Sequence, residues 1–194
     1  QNAIIGCSAA VLFGLAVLLM SILSVTNPQS VFPQDSATVS AQKTEVQPQV
    51  MYYLPYPGVL PDSPLYKLKV ARDWVQLWLT FDGVQKAQRE LLYADKRINA
   101  AKALIEGGKP ELGVSTATKA EKYLEQAVNL TLALQQSGKD VKSLLLTLAK
   151  ATTKHGEVLQ QLIPRTSGAD SQSLEGALTL TLSLQAKVAQ AIRE

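Results

Sequence analysis

The feature that most constrains the fold is a spacing of three and four residues between apolar side chains. It begins at Val84 and recurs in four consecutive segments. The first segment carries Val84, Ala87, Leu91, Ala94, Ile98, Ala101 and Ile105. Three more follow over 117–134, 141–162 and 174–191, with Thr131, His155 and Thr181 among their apolar positions. An α-helix has about 3.6 residues per turn, so such positions share one helix face. The pattern predicts four amphipathic helices with narrow, alanine-rich seams that pack closely, as in a coiled coil.

Short connections between these segments indicate that neighbouring helices run antiparallel. Asp82 can cap the first of the four, and Gly107-Gly108 ends it. Gly113 is interpreted as a further break, Pro164 ends the third segment, and 166–173 is predicted to be a loop. No strand is evident in the sequence. The fold class expected for 64–194 is therefore an all-α antiparallel bundle of about five helices.

The additional helix precedes the four, from Pro64 to about Thr80, with Ser63 as its cap. Trp74 and Trp78 lie one turn apart on it. Its other apolar residues fall near one side: Leu65, Leu68, Val75 and Leu79. We expect the two tryptophans to be helix-packing residues, and a platform for a ligand is the alternative.

A run of 23 residues without a charge, Ala3 to Val25, opens the chain. As a helix it measures roughly 34 Å, enough to cross a hydrocarbon core of about 30 Å. The sequence predicts a retained membrane helix at 1–25, a signal anchor. A cleaved signal peptide is the alternative, although its apolar core is typically only about 7 to 15 residues long.

Three small residues recur every fourth position of this run, Gly6, Ala10 and Gly14. They would let a second helix approach closely, so a homodimer through the membrane helix is possible, and ordinary lipid-facing composition is the alternative. Cys7, the single cysteine, lies in the run. It follows Ile4-Ile5-Gly6 as in a lipoprotein box, but there the apolar run should precede the cysteine, so we expect a plain membrane cysteine.

Two segments of different composition separate the apolar run from the helices. Residues 26–50 are rich in Pro, Gln, Ser and Thr without periodicity, which predicts a disordered stalk. Residues 51–63 hold tyrosines, prolines and the turn dipeptide Pro57-Gly58, which predicts an ordered irregular strap.

The composition excludes several chemistries. The net charge of +3 with intermixed signs leaves no nucleic-acid footprint. With one histidine and one cysteine, we expect no metal site, no cofactor and no catalytic residues, and hence no enzyme. His155 lies on an apolar seam with no carboxylate at ligand spacing on its own helix, which favours a hydrogen-bonded core histidine over a ligand or pH sensor.

The charged residues of the helices are interleaved in sign, as on a solvated helix surface. This interpretation covers Asp73, Glu90, Asp95, Glu106, Glu121 and Glu125. The segment that begins at Val84 is also basic, which could favour an anionic lipid surface or a polyanionic wall polymer, but a solvated face is expected. Its cations are Lys86, Arg89, Lys96, Arg97 and Lys102.

The strap and the first helix resemble a known family over about residues 54–134. The turn reads P-G-x-x-P-D-S-P-x-Y-x-L-K, and an L-T-F-D junction follows after one helix. The motif residues, expected to be structural, are Pro57, Gly58, Pro61, Asp62, Ser63, Pro64, Tyr66, Leu68, Lys69, Thr80, Phe81 and Asp82. The sequence resembles the bacterial and archaeal family catalogued as domain of unknown function 5667. The resemblance implies an exported or membrane-anchored protein without an assigned activity, and some members resemble the outer half of anti-sigma regulators.

These observations lead to one functional expectation and two rivals. We expect a single-pass protein of the cell membrane with its C-terminal domain extracytoplasmic. That domain acts non-catalytically in the cell envelope, through structure or through binding a protein or wall polymer. The first rival is the sensor half of a transmembrane, anti-sigma-like signalling regulator, with a cytoplasmic part before Gln1. The second is an enzyme, which requires a pocket where His155 meets a carboxylate from another helix.

Overall fold

The computed structural model describes residues 51–194, and this part of the chain is all-helical. Its five α-helices are α1 (Tyr66–Trp78), α2 (Gly83–Glu106), α3 (Pro110–Gln136), α4 (Lys142–Leu162) and α5 (Ala169–Arg193). A short 3-10 turn, Ile163–Arg165, extends α4. The predicted membrane helix, stalk and possible association residues Gly6, Ala10 and Gly14 lie outside the described residues. No helix within residues 51–194 combines the length and apolar character needed to span a bilayer.

Two helical hairpins form the bundle. Helix α2 packs along α3, and α4 packs along α5. The hairpins meet mainly through α3 against α5, with smaller contacts between α2 and α4. Helices α3 and α4, although consecutive in the chain, share only a small contact. Around the bundle the helices therefore neighbour one another in the order α2, α3, α5, α4, which differs from their order in the chain.

The seams predicted from the three-and-four spacing form the core. Every seam position of α4 and α5 is buried, and so is every seam position of α2 except Val84, which packs against the core while partly exposed. Most of the buried apolar residues fall into two clusters, one around Leu91, Leu124, Leu148 and Leu184 and the other around Ile98, Leu159 and Leu174. Along each bundle helix, a buried polar residue separates the part that belongs to one cluster from the part that belongs to the other.

The boundaries of the four bundle helices follow the predictions with two corrections. Asp82 caps α2 by accepting the Gln85 backbone N–H at 2.8 Å. Gly113 does not break a helix: it lies inside α3, where a Cβ would stand only 2.5 Å from Ile105 Cγ1 on α2. The predicted loop at 166–173 is also shorter, because α5 already begins at Ala169 after Gly168, whose φ of +59° suits glycine.

Helix α1 is oriented opposite to expectation. Trp74 and Trp78 were predicted to pack in the domain, but they are 67% and 70% exposed. Leu65, Leu68 and Leu79 are exposed as well, and the buried residues of the helix are Asp73 and Gln76. The helix also begins at Tyr66, two residues later than predicted, with Ser63 Oγ 3.3 Å from the Leu65 backbone nitrogen.

Candidate functional site

The centre of the bundle is a polar cluster around His155 of α4. The imidazole is fully buried, as predicted, and both of its ring nitrogens are engaged. Nδ1 lies 2.7 Å from Glu121 Oε1 of α3, and Nε2 lies 3.0 Å from Asp95 Oδ1 of α2. One histidine thus joins carboxylates from two other helices.

Two hydroxyl groups complete this cluster. The Tyr52 hydroxyl, from the strap, donates to Asp95 Oδ2 at 2.6 Å. The Thr181 hydroxyl of α5 lies 2.6 Å from Glu121 Oε2 and 2.8 Å from the Ala177 carbonyl oxygen. The five side chains, which we call the His155 network, come from the strap and from all four bundle helices. The network therefore fixes the register of the bundle at the level where the two apolar clusters meet.

Electrostatics favour the charged imidazolium in this network. Burial by itself would lower the pKa of His155, but the charge of Glu121 and the hydrogen bonds to Asp95 and Glu121 outweigh it and raise the pKa to about 9. With both nitrogens donating, one cation neutralises part of the charge of two buried carboxylates. The pKa of Tyr52 is also raised, first by burial and then by the negative charge of Asp95. The tyrosine therefore stays a neutral donor.

The prediction that Asp95 and Glu121 are solvated is wrong, and the reason lies in their register. Asp95 stands four residues after Leu91 and three before Ile98, while Glu121 stands four after Ala117 and three before Leu124. Both positions therefore satisfy the same seam spacing as their apolar neighbours and turn inward. Asp95 and Glu121 directly follow the seam residues Ala94 and Ala120, so a seam defined as one residue wider would have included both carboxylates. Their partner His155 lies on the predicted seam of α4.

Asp73 and Glu90 are buried too, against the same prediction. Asp73 of α1 forms an ion pair at 3.0 Å with Arg72 beside it. Burial raises the pKa of Glu90, with an opposing effect of Lys86. Among the basic residues of α2, Arg97 is buried, whereas the others are partly exposed: Lys86, Arg89, Lys96 and Lys102.

The centre of the His155 network is buried, while Tyr52 at its edge is partly exposed. The imidazole has no exposed surface, and its two nitrogens point to separate carboxylates instead of converging on a shared point. Within residues 51–194, no three metal-ligating side chains are grouped so that they could hold a metal ion. The arrangement that the enzyme alternative requires, His155 beside a carboxylate of another helix, is present, with the imidazole fully buried.

Most motif residues of the strap and α1 have structural contacts. Lys69 donates to the carbonyl oxygens of Pro57 at 2.7 Å and Val59 at 3.3 Å, around Gly58, whose φ is +69°. Asp62 accepts from Lys109 at 2.6 Å, which ties the strap to the α2–α3 connection. The Thr80 hydroxyl donates to the Gln76 carbonyl at 2.6 Å. Leu68 and Phe81, in contrast, are exposed, so nothing within the domain explains them.

Together these features define the class: an all-α domain in which a proline-rich strap and one helix are joined to a four-helix bundle with a polar centre. The family model described as Domain of unknown function (DUF5667) matches residues 58–167, more than half of the chain. The chain belongs to this family. The match reaches beyond the resemblance at 54–134 and includes α4 with His155. No curated protein and no solved structure matches the chain.

Proposed function

We propose that this chain is a non-catalytic protein of the cell envelope. Residues 1–25 anchor it in the cytoplasmic membrane, residues 26–50 form a stalk, and the helical domain outside binds a protein or a wall polymer. The observation that carries the proposal is the fully buried imidazole of the His155 network. Its reactive groups are used within the fold to join the strap and four helices, so the surface is what the domain offers to partners.

The anchoring part of the proposal is supported by the sequence. An uncharged run of 23 residues suffices for one crossing, and the polar, proline-rich stretch after it would separate the domain from the bilayer. A proteinase added to intact spheroplasts that make the full chain tests the location. Cleavage within 26–50 is expected, and protection of the whole chain until the membrane is opened would place the domain inside.

The binding part is supported by the partly exposed cations of α2. Lys86, Lys96 and Lys102 remain at the surface and could meet a polyanionic polymer. Co-sedimentation of the detergent-solubilised full chain with purified cell wall tests this. Replacing the three lysines by glutamine should reduce wall binding several-fold, whereas the matched triple change at Lys142, Lys150 and Lys187 should not. Equal binding by the two variants would remove the wall polymer and leave a protein partner.

A broad enzymatic screen of the full chain tests the non-catalytic part. No turnover is expected, because the side chain best suited to acid–base chemistry is sealed inside the bundle. Hydrolysis of any substrate by the purified chain would overturn the proposal.

One observation favours signalling as a second candidate function. Tyr52 lies one residue into the described part of the chain and reaches the His155 network through Asp95. Any displacement of the strap therefore acts directly on the buried centre of the bundle. If the native protein has a folded cytoplasmic segment upstream of Gln1, the domain would be the sensor half of an anti-sigma-like regulator. Peptide mapping of the native N-terminus decides, since only a short basic tail there would end this candidate.

A further inference from the structure

Helix α1 presents its apolar side to solvent. Leu68, Trp74 and Trp78 are 70%, 67% and 70% exposed, and Phe81 just beyond the helix is 92% exposed. At about 100° per residue, positions 68, 71, 74, 75 and 78 fall on one side of the helix. Isolated exposed apolar residues are ordinary, but a contiguous group with two tryptophans marks an interaction surface. We call Leu68, Trp74, Trp78 and Phe81 the outer face of α1.

The inner side of α1 explains why the helix does not turn over. Gln76 Oε1 accepts the Tyr93 hydroxyl of α2 at 2.9 Å, and the Asp73 carbonyl lies 3.4 Å from the same hydroxyl. Rotating the helix to bury its tryptophans would break these contacts and leave the buried Tyr93 hydroxyl without its acceptors on α1. The outer face is thus held outward by polar contacts on the other side.

A groove of about 640 Å³ adjoins the outer face, between α1 and residues of α2 and α3. Trp74 lines it together with Tyr66, Lys67, Arg97, Lys119 and Tyr123. Arg97 is only 8% exposed, and its guanidinium lies 4.2 Å from the Tyr123 ring centroid and 5.6 Å from that of Tyr93. The groove holds three cations, Lys67, Arg97 and Lys119, and none of them forms an ion pair within residues 51–194. A buried guanidinium stacked on aromatic rings and lacking a carboxylate is suited to receive an anion.

The chemistry of the two features together fits the interface of an anionic bilayer. Helices that lie in the headgroup region carry tryptophan and leucine on one face and lysine or arginine beside it. A phospholipid offers both parts at once, because its phosphate suits the groove and its acyl chains suit the outer face. A protein partner would have to supply an acidic group beside an apolar one.

A second copy of the chain fits less well. In a two-fold dimer the same patch faces itself, so Lys67 would approach the cations of the other groove and repel them. The position of α1 in the chain also favours a membrane, because only 25 residues separate the apolar run from Met51. As a coil, such a segment has its ends about 25 to 30 Å apart, so the surface of the anchoring bilayer is within reach.

We propose that α1 lies in the headgroup region of an anionic membrane, with its outer face inserted and a lipid phosphate held in the groove by Lys67, Arg97 and Lys119. The inference rests on the proposed membrane location. The inference adds that the helical domain contacts the bilayer directly through α1. This contact would fix the orientation of the domain relative to the membrane, and hence the surface that the domain presents to a partner.

The two tryptophans of the chain both belong to the outer face, so selectively excited tryptophan fluorescence reports on α1 alone. The full chain is reconstituted into vesicles of phosphatidylcholine alone or of equal parts phosphatidylcholine and phosphatidylglycerol, each also prepared with brominated acyl chains. With phosphatidylglycerol we expect emission at shorter wavelength, strong quenching by the brominated chains, and protection from acrylamide. With phosphatidylcholine alone the tryptophans should stay accessible to acrylamide.

Matched variants separate the groove from general charge. Lys67→Gln with Lys119→Gln should weaken the docking of α1 on anionic vesicles about tenfold or more, because each lysine near an anionic surface contributes to binding. Lys142→Gln with Lys150→Gln removes the same charge from exposed positions of α4 and should leave the quenching unchanged. Leu68→Gln should reduce quenching while leaving the fold intact, since this side chain is exposed.

Other occupants give different results, and each would overturn the proposal. Equal quenching in both lipids removes the anion site. If the tryptophan emission in detergent moves to shorter wavelength as the protein concentration rises, the outer face is covered by a second copy. If the emission is at shorter wavelength at every concentration and brominated lipid does not quench it, the outer face is covered by residues 3–25. Protection by soluble polyglycerol phosphate in detergent assigns the groove to a wall polymer. If the chain floats with anionic vesicles but its tryptophans stay accessible, only this inference fails, whereas a chain that does not float also contradicts the anchor.

Discussion

The bundle α2–α5 and the helix α1 are built from the same kind of amphipathic segment, yet they bury opposite faces. In the bundle the apolar seams meet each other and enclose one polar layer, the His155 network. In α1 the polar side carrying Asp73 and Gln76 is buried against α2, while the tryptophans face outward. Periodicity in a sequence therefore identifies the apolar face of a helix but does not show which part of the protein, if any, will cover that face.

Both regions obey the same rule for polar groups. A buried donor or acceptor is expensive unless it has a partner, and here nearly every buried polar side chain has one. The exceptions among the described residues are Arg72 Nε and Glu90 Oε2. Polar contacts therefore fix the register inside the bundle and the rotation of α1 on its surface. The following predictions test that comparison on the full chain in a mild detergent.

The largest effect is expected from His155→Leu. It leaves Asp95 and Glu121 buried without their cation, and breaking a buried pair in this way costs about 3–5 kcal/mol. Urea unfolding followed by circular dichroism measures the loss. Replacing all three, as His155→Leu with Asp95→Leu and Glu121→Met, should recover at least half, because an apolar layer has no stranded charge. A single variant that loses less than about 1 kcal/mol would mean that the network does not stabilise the bundle.

The stability of the bundle should fall as pH rises between about 6.5 and 9. The pKa of His155 is about 9 in the folded chain against 6.5 as its ordinary value, so the folded state binds the proton more tightly. Its contribution is complete below the unfolded pKa and is lost as pH rises through the folded one. The free energy of unfolding should drop by a few kcal/mol, on the order of 1.4 per pH unit within the window. In His155→Leu this slope should vanish, and a slope that persists there would assign it to other groups.

Gly113→Ala should cost about 1–3 kcal/mol, as overpacking does in a closely packed core. Its new methyl group would meet Ile105 and the Ala101 carbonyl oxygen of α2. Gly176→Ala is the matched control, because that glycine lies in α5 with nothing within 4 Å of the added carbon. There alanine should stabilise by about 0.5–1 kcal/mol, through its better helix propensity. Thermal unfolding of both variants tests the contrast, and a common sign would contradict it.

The smallest effect is expected from Trp78→Ala on the outer face of α1. Losing a large side chain that is mostly exposed should change stability by no more than about 0.5 kcal/mol. Leu148→Ala in the bundle, with a smaller but fully buried side chain, should cost about 2–5 kcal/mol. If the tryptophan change costs as much as the leucine change, α1 is packed in solution and the comparison between the two regions fails.

The sequence was enough to predict the helical class, the seams and most helix ends, because these depend on local spacing and on caps such as Asp82. It also placed His155 in the core. That Asp95 and Glu121 turn toward this histidine depends on the packing of the helices, since a carboxylate is stable inside only when another helix supplies its partner. The rotation of α1 also depends on packing, although its apolar face can be recognised in the sequence. Its rotation follows from Tyr93, seventeen residues beyond Gln76 along the chain, because only the packed α2 presents that hydroxyl.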